Sequence, residues 1–384
     1  MSSVEWFENS LNGACTPVSA GDAREALAFW RTAPFYAPSP LVLLPCLASS
    51  LGISKLYVKD EGRRFGPGSF KLMGAGYAMA RILGARSWQD AVRSPRRLTF
   101  YTATDGNHGR AVAWCARRMG HRAVVLMPSG SAQDRFDAIA AEGAEVTIPD
   151  MNFDDCVRRA HELAAADADG MLLQDTTQPG YEDIPLDIMR GYGALAAELA
   201  SQLEEPPTHV ILQAGVGSFA GASASALTEL FPDTKPVFMV CETAAAPCLM
   251  LSAEAGDIRI CTGEINTIMA GLACGEPCLP GLRSLLARAE IFAALPDECA
   301  AEAMRALAFP SGEDEAVKAG ESGAAGLGLL LAVMQAPELA GLRAAAGINR
   351  HSRVLVFNTE TATDMKNYAR IVGNFAGHPS SKDV

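Results

Sequence analysis

Short runs of apolar, often β-branched residues alternate along the chain with longer Ala- and Leu-rich stretches of helical period. Such runs are typical of strands buried on both faces, and their alternation with helices is typical of parallel sheets. The runs lie at residues 55–59, 123–127, 145–148, 209–213, 236–242 and 353–358, and the helical stretches include 110–119, 132–142 and 153–166. The pattern therefore predicts an α/β protein with parallel sheets flanked by helices.

Length and charge narrow the class of protein further. The chain has 384 residues, and single cores stop growing near ~250–300 residues, so two domains are expected. The formal net charge is −12 without a basic run, which argues against a nucleic-acid or anionic-membrane partner. Neither a signal-peptide pattern nor a stretch of ~20 apolar residues occurs. We expect a soluble, cytoplasmic protein.

The ten cysteines are scattered and form no CxxC pair. Cys274 and Cys278 lack the second pair or nearby histidines that would complete a zinc site. Buried, reduced thiols are therefore expected, and no metal site is predicted. A redox pair such as Cys248 with Cys274 has no support in the sequence.

The first segment that indicates chemistry is a Gly/Pro loop followed by a helix that is apolar on nearly every side, residues 66–82. Ser69 is a plausible N-cap, and Lys71 is the only charge in the first turn. Burial and the helix dipole both favour the neutral amine, the form that attacks an aldehyde. The alternative is a lysine that extends from the helix end to solvent.

A second segment, residues 102–110, is a polar turn that contains glycines and lies between a strand and a helix. Such a turn places N–H groups and hydroxyls at a helix N-terminus, where a carboxylate can bind. Thr104, Asp105 and His108 are thus candidate substrate-binding residues. The alternatives are a hydrogen-bonded turn histidine at His108 and an ordinary helix cap at Asp105.

In a third segment, residues 208–221, a strand runs into a glycine loop and a small-residue helix. Successive N–H groups and the helix dipole suit a phosphate there. The loop Gly215–Ala220 also nearly matches a dinucleotide fingerprint, and Glu242 ends the next strand, where a ribose-binding acid would lie. A nicotinamide or flavin enzyme is therefore a rival hypothesis.

The order and spacing of these motifs resemble fold-type II (tryptophan-synthase-β-like) pyridoxal-phosphate (PLP) enzymes. The closer resemblance is to the diaminopropionate ammonia-lyase family, and it extends from about Phe65 to Tyr368. It rests on residues 103–110, 174–176, 180–181, 269–277 and 320–324. The resemblance implies a homodimer whose large PLP-binding domain, residues 1–76 and 191–384, carries an inserted small domain, residues 77–190.

The resemblance also implies residue roles. Lys71 would hold PLP as a Schiff base and act as a base at Cα. Asp105 would be a second acid–base residue on the opposite face, and Asp175 would lie near the substrate's β-amino group. The residues implied to contact the cofactor are Lys71, Asn107, which would bind its phenolic oxygen, Gly215, Val216, Gly217, Ser218 and Phe219, which would bind its phosphate, and Thr359, beside its pyridine nitrogen.

These roles imply an ammonia-lyase that converts 2,3-diaminopropionate, possibly as both enantiomers, to pyruvate and ammonia. The chain departs from the family pattern at Gly68-Ser69, Phe153 and Thr361-Ala362. Because these positions lie near the expected pocket, a PLP lyase or dehydratase for another β-substituted amino acid, such as serine or threonine, is the near alternative. A non-catalytic amino-acid-binding homologue is a more distant one.

Overall fold

The computed structural model of the protein describes residues 4–10, 13–104, 106–178 and 180–373. Its strands are β1 (Glu5–Glu8), β2 (Leu41–Leu43), β3 (Lys55–Asp60), β4 (Thr99–Ala103), β5 (Arg122–Leu126), β6 (Glu145–Thr147), β7 (Gly170–Leu172), β8 (His209–Gln213), β9 (Val237–Thr243), β10 (Ala289–Leu295) and β11 (Arg353–Asn358).

Helices connect nearly all of these strands. They are α1 (Ala20–Arg31), α2 (Pro45–Ser50), α3 (Lys71–Ile82), α4 (Trp88–Val92), α5 (Asn107–Met119), α6 (Gln133–Ala140), α7 (Phe153–Ala166), α8 (Asp183–Gln202), α9 (Ser218–Leu230), α10 (Cys248–Ala255), α11 (Leu279–Leu286), α12 (Asp297–Ala308), α13 (Glu321–Gln335), α14 (Ala340–Ala346) and α15 (Met365–Val372), with three short 3₁₀ turns between them.

The strands form two sheets, as the sequence pattern predicted. The larger has the order β1-β10-β9-β8-β11-β3-β2, and the smaller has the order β6-β5-β4-β7. All pairs in the smaller sheet are parallel, whereas the larger sheet is parallel except at its edges, where β1 and β2 pair antiparallel. Strands such as β8, buried at every position, need helices on both faces, which explains their uninterrupted apolar character.

Helix α3 crosses α8 closely because glycines lie at the contact. A Cβ at Gly74 would lie 2.5 Å from the ring of Tyr192, and one at Gly191 would lie 2.5 Å from the carbonyl oxygen of Met73. Any larger side chain would force the helices apart. The start of α3, where Lys71 lies, is thereby held in a fixed position.

A buried charge network joins β3 and the turn after it to α8. Lys59 Nζ lies 2.8 Å from Glu198 Oε2, and Arg64 Nη2 lies 2.8 Å from the same oxygen and 2.7 Å from Glu61 Oε1. Two cations thus face two carboxylates, and such a cluster tolerates burial only when every member is paired. The network fixes α8 relative to the larger sheet.

The smaller sheet is built from strands between residues 99 and 172. The domain boundaries after residues 76 and 190 stay a prediction; they fall within α3 and α8, which run continuously through both positions. Over the described ranges, no single helix has the length and apolar character to cross a membrane; only the pair Glu321–Gln335 and Pro337–Ala346, bent by 95°, passes such a test, on length and composition.

Candidate active site

A cavity of about 1180 Å³ lies where the carboxyl ends of strands from both sheets meet. Ligands bind at such ends in open α/β sheets, because the loops that follow the strands converge there. The residues after β4, β7, β8 and β11 line it. Among the described residues, every candidate from the sequence borders the cavity: Lys71, Thr104, Asn107, His108, Asp175, Gly215, Val216, Gly217, Ser218, Phe219 and Thr359. Asp105 lies outside the described residues.

Lys71 is the first residue of α3, but its helix begins differently from the prediction. Ser69 is not the cap: the N-cap position is Phe70, without a side-chain capping bond, and the Ser69 hydroxyl is buried without a partner in the described part of the chain. Backbone contacts to the end of β11 take the place of the cap. Ser69 forms an isolated antiparallel β-bridge with Glu360, and Phe70 N donates to Thr359 O at 3.2 Å. The lysine is thus tied to the larger sheet.

The Lys71 ammonium forms an ion pair with Asp175. Burial by itself lowers the pKa of Lys71, but the Asp175 carboxylate outweighs it and holds that pKa above its usual value. The expectation of a neutral amine in the free protein is therefore wrong, because it considered burial and the helix dipole without a counter-ion. Burial raises the pKa of Asp175, whereas Lys71 lowers it, and the result is about 2.

His108 is buried behind this pair. Its Nε2 lies 2.8 Å from the carbonyl oxygen of Leu173, and its Nδ1 lies 3.9 Å from Asp175 Oδ2 with no hydrogen-bond partner among the described residues. Burial lowers the pKa of His108, so the ring is neutral at pH 7. A neutral ring that donates from Nε2 presents an unprotonated Nδ1 to the site.

Helix α9 begins at the glycine loop, and its first N–H groups have no acceptor within the helix. Gly217 has a φ of +91° and therefore turns the chain where a residue with a Cβ would be strained. The hydroxyl of Ser218 donates to the Asp175 carbonyl oxygen at 2.7 Å. The loop and the residue that pairs with Lys71 are thus directly connected.

The end of β11 supplies a second polar cluster. Gln213 Nε2 donates to the carbonyl oxygens of Gly323 and Phe357 at 2.9 Å and lies 3.2 Å from Thr359 Oγ1, and Thr359 borders the cavity. Asn107 Nδ2 donates to Glu360 Oε2. Sequence reasoning assigned no role to Glu360, Gln213 or the buried Tyr192 beside Lys71. Gln213 lies within the segment of residues 208–221, and Glu360 directly follows Thr359.

The comparison with protein families decides between the cofactor hypotheses. The model described as "Pyridoxal-phosphate dependent enzyme" matches residues 32–357. The chain belongs to this family. Diaminopropionate ammonia-lyase of Escherichia coli is 41% identical over 375 residues, which cover 94% of each chain. The enzyme of that name from Salmonella typhimurium is 41% identical over 370 residues and 91% of each chain.

Solved structures agree with this assignment to the PLP-dependent enzymes. The E. coli diaminopropionate ammonia-lyase in complex with an aminoacrylate-PLP azomethine reaction intermediate superposes with a TM-score of 0.89, at 40% identity over 97% of both chains. Its complex with D-serine gives 0.91 at 39% identity and the same coverage. Maize serine racemase, at 19% identity and a TM-score of 0.71 over 92% of this chain and 96% of its own, shares the fold.

The cofactor of this PLP-dependent family suits the residues of the cavity. PLP needs an amine for its aldehyde, N–H groups for its phosphate and hydrogen-bonding groups at its ring. Lys71, the start of α9 and the pair of Asn107 and Thr359 offer these groups on one cavity. A volume of about 1180 Å³ also exceeds that of many ligand pockets, so an amino acid fits beside the cofactor.

The dinucleotide hypothesis is wrong for this PLP-dependent enzyme. Both carboxylate oxygens of Glu242 are used inside the protein, since Oε1 and Oε2 each accept a backbone N–H of α10, from Leu249 and Met250, at 2.8 Å. Burial raises the pKa of Glu242 to about 8. The residue caps a buried helix start and presents nothing to a ribose.

Two of the cysteines, Cys261 and Cys274, border the cavity. All ten cysteines are free thiols, and Cys248 Sγ lies 3.9 Å from the Gly215 carbonyl oxygen. Burial raises the pKa of Cys248, which keeps it protonated and unreactive. Within the described ranges, no group of three or more His, Cys, Asp or Glu side chains is arranged to hold a metal ion.

Proposed function

We propose that the protein is a PLP-dependent ammonia-lyase that converts 2,3-diaminopropionate and water to pyruvate and two molecules of ammonia. The observation that carries the proposal is the buried Asp175 carboxylate paired with Lys71 in the cavity. It places a fixed negative charge where the substrate's second amino group can reach it. The near-complete coverage by diaminopropionate ammonia-lyases at 41% identity supports the same substrate.

In this proposal each residue of the site has a separate role in binding or catalysis. Bound PLP supplies an electron sink for the electrons released at Cα. Lys71 would hold the cofactor through its amine, and the same amine, once free, would take the proton from the substrate's Cα. The N–H groups from Gly215 to Phe219 would hold the phosphate, Asn107 would bind the phenolic oxygen, and Thr359 would lie beside the ring nitrogen.

The negative charge of Asp175 favours a substrate with a β-amino group. The carboxylate is buried, and the Lys71 ammonium beside it is the main influence that holds its pKa near 2. While that amine holds the cofactor, or acts as a neutral base, Asp175 lacks its ammonium partner and needs another cation, because an unpaired buried carboxylate is costly. A β-ammonium supplies it. Thr104 and the neutral His108 complete the contacts that we propose for the substrate.

Asp105, outside the described residues, is proposed as a second acid–base residue opposite Lys71. We expect Asp105→Asn to reduce kcat/KM about 100-fold for one enantiomer of diaminopropionate, a typical value for loss of a general base, and much less for the other. Steady-state assays with each pure enantiomer measure this. Asp169→Asn, at an exposed turn, serves as the control. Equal losses for both enantiomers would remove the face-specific role.

Elimination from serine or threonine is the second candidate function, because other positions around the cavity depart from the family pattern. Phe153 and Ala362 border the cavity, and both stand where the family motif has another residue. A biosynthetic L-threonine dehydratase from Salmonella typhimurium is 31% identical over 218 residues, 57% of this chain. A β-hydroxyl substrate would leave Asp175 without a cation, so the geometry favours diaminopropionate.

The test of the proposal joins a cofactor assay to a substrate assay. Purified protein supplied with PLP should show a visible band that borohydride removes, and peptide mass mapping should find the reduced cofactor on Lys71. Pyruvate release from both enantiomers of diaminopropionate should exceed release from serine and threonine. Modification of another lysine, or a preference for serine, would contradict the proposal.

Two further properties are proposed from the family resemblance. We expect a homodimer in the cytoplasm. Each chain would consist of the large domain, residues 1–76 and 191–384, and the small domain, residues 77–190. Light scattering coupled to size-exclusion chromatography measures the mass, which should be twice the 40.4 kDa of one chain. Cell fractionation measures the location.

A further inference from the structure

Glu360 has no role in the motifs or in the proposed reaction, yet it lies inside the cavity against Asn107. Its side chain is buried, and its Oε2 accepts from Asn107 Nδ2. Its other oxygen, Oε1, lies 3.2 Å from the backbone N–H of Ser322 and accepts from it. Both carboxylate oxygens are therefore held, one by the start of α13 and one by the start of α5.

The surrounding backbone is shaped to let Glu360 lie this deep. A Cβ at Gly320 would lie 2.9 Å from Glu360 Oε1, and one at Gly323 would lie 2.8 Å from the Glu360 carbonyl oxygen. The N–H of Gly320 also donates to that carbonyl at 3.0 Å. These contacts fix the backbone of Glu360, and the missing side chain at Gly320 leaves room for its carboxylate beside Asn107.

An acceptor fixed in this way decides which end of the Asn107 amide faces it. A carboxylate only accepts, so the amide must present its NH₂ group and not its oxygen. That NH₂ has a second hydrogen. Because Asn107 borders the cavity at the start of α5, the second N–H is free to point into it as a donor.

We propose that Glu360 is a positioning residue that locks the Asn107 amide as a hydrogen-bond donor toward the phenolic oxygen of the cofactor. This inference rests on the proposed function, which assigns Asn107 to that oxygen. Without the carboxylate, the amide can turn and present its oxygen, which repels a phenolate. The donor would then be lost although Asn107 itself is unchanged.

The groups around Glu360 act on its pKa in opposite directions, and the net effect, mainly of burial, is to raise that pKa. Burial raises its pKa, and so does Glu321 at the start of α13, whereas Arg135, Asn107 and the Ser322 N–H act in the opposite direction. Asn367 Nδ2 donates to Glu321. The hydrogen bonds from Ser322 and Asn107 favour the carboxylate form of Glu360, the form that accepts without donating.

A double-mutant cycle on PLP binding tests the proposal. The apoproteins of the wild type, Glu360→Gln, Asn107→Ala and the double variant are titrated with PLP, and binding is followed by the visible absorption band. We expect Glu360→Gln to weaken PLP binding about tenfold and to shift the band. In the Asn107→Ala background the same change should have little further effect.

Glu338→Gln makes the same chemical change at an exposed position and should leave both readouts unchanged. If Glu360→Gln does not fold, Glu360→Asp replaces it in the cycle, since it keeps the charge and shortens the reach by one methylene. An equal effect in the Asn107→Ala background, or none in the wild type, overturns the inference and leaves the proposed function intact. Failure of the wild type to bind PLP overturns both.

Discussion

Lys71→Ala is expected to abolish covalent attachment of PLP and to reduce diaminopropionate elimination by at least about 1000-fold, because the same amine holds the cofactor and removes the Cα proton. Two measurements check it. Borohydride reduction followed by mass mapping should find no cofactor on the variant, and steady-state pyruvate release should fall to the limit of detection. A PLP-dependent lyase with no attached cofactor cannot complete its cycle.

The matched control is Lys55→Ala. Lys55 is the first residue of β3, whereas the cavity lies at the carboxyl ends of the strands. Lys55 pairs with Glu205 at 2.7 Å, and both side chains are accessible to solvent, so the loss of this pair has little effect on stability. It should keep full activity. The alanine at position 71 removes a cation from beside Asp175, so melting temperatures are compared as well. Full elimination by a folded Lys71→Ala protein would refute the mechanism.

The sequence predicted the fold because its signals are local and repeated. Buried parallel strands read as unbroken apolar runs, and the segments at residues 55–59, 123–127 and 353–358 became β3, β5 and β11 with small shifts at their ends. Four strands escaped prediction, namely β1, β2, β7 and β10. β1 and β2 are three or four residues long, too short to show a period.

The site could be predicted only where a residue type combines with a recognisable loop. Lys71 and Gly217 stand in such loops, and both border the cavity. Glu360 could not be assigned, because its partner Asn107 lies 253 positions away and pairs of that kind leave no local pattern. Glu242 was misinterpreted for another reason: the N–H groups of Leu249 and Met250 that bind it come from a helix whose start nothing in the strand predicts.

The state of Lys71 shows how such a distant contact reverses a local argument. Burial and the helix dipole are properties of the segment and can be inferred from residues 66–82. The Asp175 carboxylate comes from the smaller sheet, and it raises the lysine pKa that the local argument expected to fall. The amine of the free protein is therefore protonated, and it must lose this proton before it can react with the cofactor.

The same ion pair leads to the second large prediction, on Asp175→Asn. This change should reduce kcat/KM for diaminopropionate about 1000-fold, because a neutral amide cannot pair with the β-ammonium that we propose it binds. Elimination from serine, whose β-hydroxyl carries no charge, should change by less than about tenfold. The ratio of the two substrates, measured by pyruvate release, separates a lost substrate contact from a general loss of structure.

The control for this ratio is again Asp169→Asn, and a second readout follows from the Lys71 pair. Removal of the carboxylate leaves burial as the main influence on Lys71, so its pKa should fall, and PLP attachment to the apoprotein should become faster near pH 7. If both substrates lose activity equally while attachment is unchanged, Asp175 supports the fold and selects no substrate. If only the activity on diaminopropionate is lost, the Asp175 charge beside Lys71 makes this cavity specific for a β-amine.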